Sequence, residues 1–119
     1  MPLAFQSIAV DCKDAKRVGE FWAALLERPL EAEDDGSEYW IEFGGSPDLL
    51  FLTVPEAKTV KNRLHIDLRP KDQDAEVERA LALGARHADI GQGEQTWVVL
   101  ADPEGNEFCI LRALRPDEA

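Results

Sequence analysis

The chain has 119 residues, of which 45% are hydrophobic and 31% are charged, a balance typical of one globular domain with a buried core. Its formal net charge of −11 argues against nucleic acid as a partner, because the phosphate backbone would be repelled. No apolar run approaches the roughly 18 residues that a membrane span needs, and the N-terminus lacks a signal-peptide pattern. We therefore expect a cytoplasmic protein without a membrane partner, and two reduced cysteines rather than a disulfide.

The first half of the chain predicts a strand, a helix and then further strands. Asp14 is a good N-cap, and the apolar residues after it recur at helical spacing as far as Leu26. Pro29 is expected to end this helix. Strands are predicted at residues 4–11, 39–43 and 49–54, with a short strand end before the turn in residues 31–38.

The second half predicts the same order of elements. Leu64, Ile66 and Leu68 alternate along a strand, so His65 and Asp67 point to its other face. Gly84 stands where a left-handed helix cap is expected. The predicted elements are a strand at residues 63–69, a helix at 72–83, a hairpin of 97–101 and 107–111 around the turn 102–106, and a frayed tail at 112–119.

These two halves form an internal repeat, in which residues 7–34 echo residues 65–91. Each copy opens with an alternating strand that reaches a Lys-Asp pair before its helix, which makes position 7 equivalent to position 65. A period near 58 residues is too long for a solenoid. It predicts an α+β fold of two βαβββ modules, at about 3–55 and 61–113, in a single domain covering residues 1–119.

Four segments in this order carry a family resemblance: residues 10–14, 21–26, 64–68 and 98–108. With the repeat, the chain resembles the glyoxalase/bleomycin-resistance/dihydroxybiphenyl-dioxygenase proteins, the vicinal oxygen chelate superfamily, and most closely its glyoxalase-like domain branch. The resemblance implies a mixed sheet curled into a cup, with helices on its convex side and a ligand on its concave side. It also implies a divalent ion in the metal-dependent members, held by the first and last strands of each module.

The metal positions that the resemblance implies are Ser7, Phe51 (to within about one residue), His65 and Cys109. Ser7 is a poor ligand and Phe51 cannot be one, which leaves His65 and Cys109 as weak candidates. Because a catalytic zinc keeps about three protein ligands, we expect no tightly bound metal and no other cofactor. Asp67 or Glu107 would have to be recruited to complete a site.

The candidate ligand-binding residues are Ser7, Tyr39, Phe51, His65, Trp97 and Cys109. His65 suits a polar lining group, and Cys109 is either a small buried residue or a reactive thiol. Tyr39, Phe51 and Trp97 share the predicted concave parity with Phe43, and they either fill the core or form a flat wall for a planar ligand. Glu42 shares the parity of Trp40, which points away from the predicted cup.

Three functions remain open on this basis, and whether the chain is an enzyme is one of the open points. The leading interpretation is a small-molecule-binding protein that sequesters an apolar or cationic aromatic compound without metal. The alternatives are a metal-dependent isomerase or lyase and a structural or interaction module with a closed cup. We expect a homodimer, because a half-cup sheet leaves edges and apolar surface to be covered.

Overall fold

The computed structural model describes residues 3–45, 47–89, 91, 93 and 95–118. It confirms an α+β fold of two βαβββ modules, with two main helices and two four-stranded mixed sheets. The chain divides into two compact units, Met1–Lys58 and Thr59–Ala119, and the boundary between them lies in the segment predicted to link the modules. None of the helices in the described part of the chain is long and apolar enough to cross a bilayer.

The first unit contains one helix and a sheet with the strand order β1-β4-β3-β2. β1 runs parallel to β4, whereas β3 is antiparallel to both of its neighbours. The elements are β1 (Ser7–Cys12), α1 (Ala15–Leu26), β2 (Glu31–Ala32), β3 (Glu38–Ile41) and β4 (Asp48–Thr53).

Helix α1 begins and ends through local hydrogen bonds. The Asp14 carboxylate accepts a hydrogen bond from the Arg17 N–H at 3.1 Å, as expected of an N-cap. The helix ends at Leu26 because Glu27 adopts a left-handed conformation with φ 54°, two residues before Pro29. The prediction that Pro29 itself stops the helix is therefore wrong.

The second unit repeats this plan with the strand order β5-β8-β7-β6. β5 runs parallel to β8; Asp72 caps the start of the second helix, and Gly84 forms the predicted left-handed cap at its end with φ 119°. The elements are β5 (Ile66–Leu68), α2 (Gln73–Leu83), β6 (Arg86–His87), β7 (Val98–Ala101), β8 (Glu107–Ile110) and a short 3₁₀ helix (Pro116–Glu118).

The C-terminal tail is attached to the second unit, so the prediction that it frays is wrong for its described residues; Ala119 lies outside them. The Arg112 guanidinium donates two hydrogen bonds to the Glu118 carboxylate, at 2.9 and 2.6 Å. The Arg69 guanidinium donates another to the Arg112 carbonyl at 2.7 Å. Arg112 and Glu118 are six positions apart, and a single contact at this separation leaves no periodic pattern in the sequence.

Candidate functional site

Three side chains with metal-binding or proton-transfer chemistry meet on one face of the second sheet. His65 directly precedes β5, Asp67 lies within it, and Cys109 pairs with Asp67 across the parallel β5–β8 ladder. His65 and Asp67 are two residues apart, so they point to the same face, as predicted. The His65 Nδ1 lies 2.9 Å from the Asp67 Oδ1 and 4.0 Å from the Cys109 Sγ. We call these three residues the His-Asp-Cys cluster.

The neighbouring backbone positions this cluster from both sides. Asn62, three residues before His65, donates its backbone N–H to the Glu107 carboxylate at 3.0 Å and its side-chain amide to the Glu107 carbonyl at 3.2 Å. Glu107 begins the strand that carries Cys109. The approach to β5 and the start of β8 are therefore joined directly, which fixes the two strands that supply the cluster.

The Cys109 thiol is held in its protonated form. Cys109 is 4% exposed, and burial, assisted by the negative charge of Asp67, raises its pKa from 9.0 to about 11. The Lys61 ammonium lowers this pKa but does not reverse the shift. Because the thiolate is the nucleophilic form, Cys109 by itself is a poor nucleophile at neutral pH. His65 and Asp67 have side chains 45% and 47% exposed, so both can meet a solute.

The first sheet concentrates acids on the face turned away from α1. A Cβ added to Gly19 of α1 would lie 3.3 Å from the Phe51 ring, so Phe51 faces the helix and its neighbours Leu50 and Leu52 face the other way. Strand register places four carboxylates, one tryptophan and two leucines on that other face, and Glu42, two residues beyond Trp40 and hydrogen-bonded to it, adds a fifth carboxylate. This acidic face consists of Ser7, Ala9, Asp11, Glu31, Glu38, Trp40, Glu42, Asp48, Leu50 and Leu52.

Trp40 lies at the centre of the acidic face. It pairs with Leu50 on one side and with Glu31 on the other, and its indole N–H donates a hydrogen bond to the Glu42 carboxylate at 2.9 Å. Glu38 and Glu42 flank it along the strand, each about 6–7 Å away. None of the described strand positions on this face carries a basic side chain. The face therefore offers an indole ring and apolar surface framed by negative charge.

Two of the candidate ligand-binding residues lie on the wrong face for the predicted role. Phe51 is fully buried against the helix side, and Tyr39 shares that side because it pairs directly with Phe51. The prediction that both lie opposite the helix is wrong. The prediction that Trp40 and Glu42 point away from that face is wrong for the same reason, since a one-residue error in parity exchanges the two faces of every strand.

The remaining candidates keep positions compatible with the prediction. Ser7 begins β1 on the acidic face, half-buried and paired with Asp48. Trp97 directly precedes β7 and is 36% exposed, and its role as a ligand wall stays a prediction. Phe43 is the exception, because it shares the parity of Tyr39 on the helix side and lies 5.5 Å from the Arg28 guanidinium in a cation–π contact, so its predicted concave position is wrong.

The four metal positions implied by the resemblance do not fit a divalent ion. Matching β1 and β4 to β5 and β8 makes Leu50, rather than Phe51, the counterpart of Cys109. The first module then supplies Ser7 and Leu50, a weak donor and a hydrocarbon. Matching Leu49-Leu50-Phe51 to Phe108-Cys109-Ile110 in the internal repeat shows that Leu50, and not Phe51, lies opposite the helix. This matching is the sequence signal that would have corrected the strand parity and so identified Trp40 and Glu42 as members of the acidic face.

Solved structures with the same fold include several glyoxalase-related proteins. A glyoxalase/bleomycin resistance protein/dioxygenase family enzyme from Burkholderia phytofirmans matches with a TM-score of 0.72 at 18% identity, over 94% of this chain and 100% of that one. The fosfomycin resistance protein FosX from Listeria monocytogenes, complexed with Mn(II) and a dihydroxypropylphosphonic acid, matches with a TM-score of 0.71 at 17% identity, over 96% and 93%. At such identities the likeness shows the fold alone.

The sequence itself decides the family. A search of curated proteins finds no match to this chain. The profile of the glyoxalase-like domain, by contrast, matches residues 7–111, from the first residue of β1 to the residue after β8. This match covers both βαβββ modules and both halves of the internal repeat. The chain therefore belongs to the glyoxalase-like domain family.

Proposed function

We propose that this protein binds a small organic cation with an aromatic or apolar body, and that it acts by binding rather than by catalysis. The observation that carries the proposal is the acidic face, where Trp40 lies among five carboxylates. A cation over an indole ring gains about 0.5–2 kcal/mol, depending on how far it is desolvated. The overall charge of −11 adds a long-range attraction for the same class of ligand.

The hydrogen bond between Trp40 and Glu42 supports this choice of ligand. It fixes the orientation of the indole ring, so the ring loses little freedom when a planar ligand stacks on it. It also keeps one carboxylate beside the ring, where it meets a positive group at the ligand edge. Leu50 and Leu52 extend the apolar surface along the adjacent strand for the uncharged part of the ligand.

The proposal is tested by calorimetric titration with an aromatic quaternary ammonium compound and its neutral isostere. The cation should bind more tightly, and salt should reduce the difference. Trp40→Ala should weaken cation binding about tenfold, within the range for aromatic contacts at binding sites. Glu42→Gln, which keeps an acceptor for the indole, should weaken it about two- to fivefold, as expected for one exposed charge.

Two controls separate the acidic face from other surfaces. Glu20→Gln removes the same charge from an exposed position of helix α1 and should leave the affinity within about twofold. Trp97→Ala tests the second module, where His65 and Trp97 were predicted to line a ligand site. Equal affinity for the cation and its isostere would refute the proposal, and a loss confined to Trp97→Ala would move the site to the second module.

A metal-dependent lyase or isomerase is the second candidate function, favoured by the His-Asp-Cys cluster. FosX from Listeria monocytogenes shares the fold and is described with Mn(II). Activity of this class would need ligands beyond Ser7 and Leu50 from the first module. Turnover of an epoxide or a thiohemiacetal by the metal-loaded protein, lost in His65→Ala, would favour it over binding alone.

We further propose that the protein is a homodimer. Leu3 and Phe5 in the N-terminal segment are 83% and 71% exposed, and Leu64 in the second unit is 85% exposed. Large apolar side chains in such positions are typical of surfaces that a partner covers. Light scattering should give twice the chain mass, and a Phe5→Glu variant should shift the mass toward the monomer. A monomeric wild-type protein at micromolar concentration would contradict this proposal.

A further inference from the structure

A short segment before β5 combines exposed apolar side chains with positive charge. It consists of Val60, Lys61, Asn62, Arg63 and Leu64 and contains no acidic residue. Val60 and Leu64 are 75% and 85% exposed, and Lys61 and Arg63 are exposed between them. The sequence predicts Leu64 as part of a strand, whereas β5 begins two residues later and leaves Leu64 in solvent. We call residues 60–64 the basic-apolar segment.

Hydrogen bonds hold this segment in a fixed conformation. Asn62 at its centre donates its backbone N–H to the Glu107 carboxylate at 3.0 Å and its side-chain amide to the Glu107 carbonyl at 3.2 Å. The Lys61 ammonium donates a further hydrogen bond to the Asn62 carbonyl at 3.1 Å. Because the segment is already ordered, it loses little conformational freedom when a partner covers Val60 and Leu64.

Two other basic regions lack this combination of features. Helix α1 exposes Lys16 and Arg17, but none of its described residues is a large exposed apolar side chain. The two arginines that flank the exposed Leu114 both pair with Glu118. Neither region therefore offers exposed cations beside exposed apolar side chains in the way that the basic-apolar segment does.

A partner that matches this segment must carry negative charge and apolar surface together. The acidic face of this chain has both, since its five carboxylates frame Trp40, Leu50 and Leu52. Each copy has a net charge of −11, so two copies attract each other only where positive side chains of one meet carboxylates of the other. A second copy of the chain therefore supplies the complementary surface.

The dimensions of the two surfaces agree. Five residues span at most about 14 Å from the first to the last. Glu38 and Glu42 are about 13 Å apart along β3 and its continuation, because a strand rises about 3.3 Å per residue. Lys61 and Arg63 are two positions apart, as Trp40 is from each of these glutamates. One cation can thus lie over the indole ring while the other meets a carboxylate.

We propose that the basic-apolar segment of one copy docks on the acidic face of a second copy, in a closed dimer that holds two such contacts. Lys61 or Arg63 then occupies the position over Trp40 that the organic cation would take. Dimer formation and ligand binding therefore compete for one face, and each weakens the other by the same factor. The inference rests on the proposed homodimer for its partner and on the proposed cation site for the competition.

Charge reversal on each surface tests the contact, with light scattering of the full chain as the measurement. A segment variant, Lys61→Glu/Arg63→Glu, and a face variant, Glu38→Lys/Glu42→Lys, should each raise the dimer dissociation constant at least about tenfold, because like charges then meet. An equimolar mixture of the two variants should restore the dimer, since the unchanged face of one meets the unchanged segment of the other. The two reversed surfaces are also complementary to each other. Circular dichroism checks that each variant is folded.

A matched control and a competition experiment complete the test. Lys16→Glu/Arg17→Glu makes the same change of charge on α1 and should leave the dissociation constant within about twofold. The aromatic quaternary ammonium compound should dissociate the wild-type dimer, whereas its neutral isostere should not. The segment variant should bind this cation more tightly than the α1 variant of equal net charge, because no second copy competes for its acidic face.

Three results would overturn the docking proposal: a monomeric wild type, a segment variant that remains a dimer, or a mixture of the two variants that stays monomeric. A dimeric segment variant whose cation binding is still lost in Trp40→Ala would refute the docking alone and leave the proposed ligand site standing. Restored dimer in the mixture, without binding of the cation to any variant, would uphold the docking and refute the proposed ligand.

Discussion

Replacing Asp102 by alanine should destabilise the β7–β8 hairpin, and with it the strand that carries Cys109. Asp102 is fully buried, and its carboxylate accepts hydrogen bonds from the Glu104 N–H at 2.9 Å, the Asn106 N–H at 3.0 Å and the Asn106 side-chain amide at 2.9–3.1 Å. Hydrogen bonds to a charged group contribute about 1.5–3 kcal/mol each. Because both donor residues are half-exposed and water can partly replace the acceptor, we take about 1 kcal/mol for each of the three donors.

The expected loss is therefore about 3 kcal/mol in the free energy of unfolding, measured by urea denaturation with two independent probes. Asp102→Asn keeps an oxygen at the position that accepts most of these bonds and should lose about 1 kcal/mol. Asp35→Ala is a matched control in an exposed turn, where the carboxylate accepts a hydrogen bond from the Ser37 backbone N–H at 2.9 Å, and it should lose about 0.5 kcal/mol. An Asp102→Ala variant within about 1 kcal/mol of the wild type would refute this reasoning.

Three further predictions concern packing, acid and the buried thiol. Gly19→Ala should not gain the roughly 1 kcal/mol of stability that alanine usually brings to a helix, because the added Cβ would lie 3.3 Å from the Phe51 ring. A thermal unfolding experiment that shows this gain in stability would contradict the packing of α1 against Phe51. The hydrogen bonds from Arg112 lower the pKa of Glu118 from 4.5 to about 2, so their contribution is complete above pH 4.5 and is lost as the pH falls toward 2. The melting-temperature difference between wild type and Glu118→Gln should accordingly disappear by about pH 2, and a difference that grows in acid would be inconsistent with this pairing. Because burial raises the pKa of Cys109 to about 11, its alkylation, followed by mass spectrometry, should be slow at pH 7 and accelerate continuously up to pH 10; a rate that levels off near pH 8 would show a lower pKa.

The start of α1, the cap at the end of α2 and the module order were accessible from the sequence because they depend on local signals. Asp14 caps α1 as predicted, and Gly84 adopts the predicted left-handed conformation at the end of α2. The hairpin turn after Ala101 was also predictable, since Pro103 and Gly105 suit its backbone conformation. In each case the residues that determine the conformation are within a few positions of one another.

Strand parity in the first module was not accessible in the same way. The sequence Leu49-Leu50-Phe51 is apolar throughout, so alternation cannot decide which residue faces the helix. The contact between Phe51 and α1 decides it, and that contact depends on tertiary packing. Because the predicted parity was wrong by one residue, Tyr39 and Phe51 were assigned to the exposed site, which in the structure contains Trp40 and Glu42 instead.

The His-Asp-Cys cluster shows an intermediate case. Alternation predicted that His65 and Asp67 share a face, and the family resemblance implied Cys109 as the site residue on the last strand of the second module. The distances among their side chains depend on the β5–β8 register, which pairs Asp67 directly with Cys109. A register shifted by one residue would place Cys109 on the other face of the sheet.

The proposal that the acidic face binds an organic cation is tested most directly by nuclear magnetic resonance. The indole N–H of Trp40 gives its own resonance and is hydrogen-bonded to Glu42, so it reports on the centre of this face. Titration with the aromatic quaternary ammonium compound should shift this resonance, and the amides of Leu50 and Leu52, along one saturable curve, while the neutral isostere leaves them in place. Shifts confined to α1 or to the Trp97 indole, or equal shifts with both compounds, would contradict the proposal.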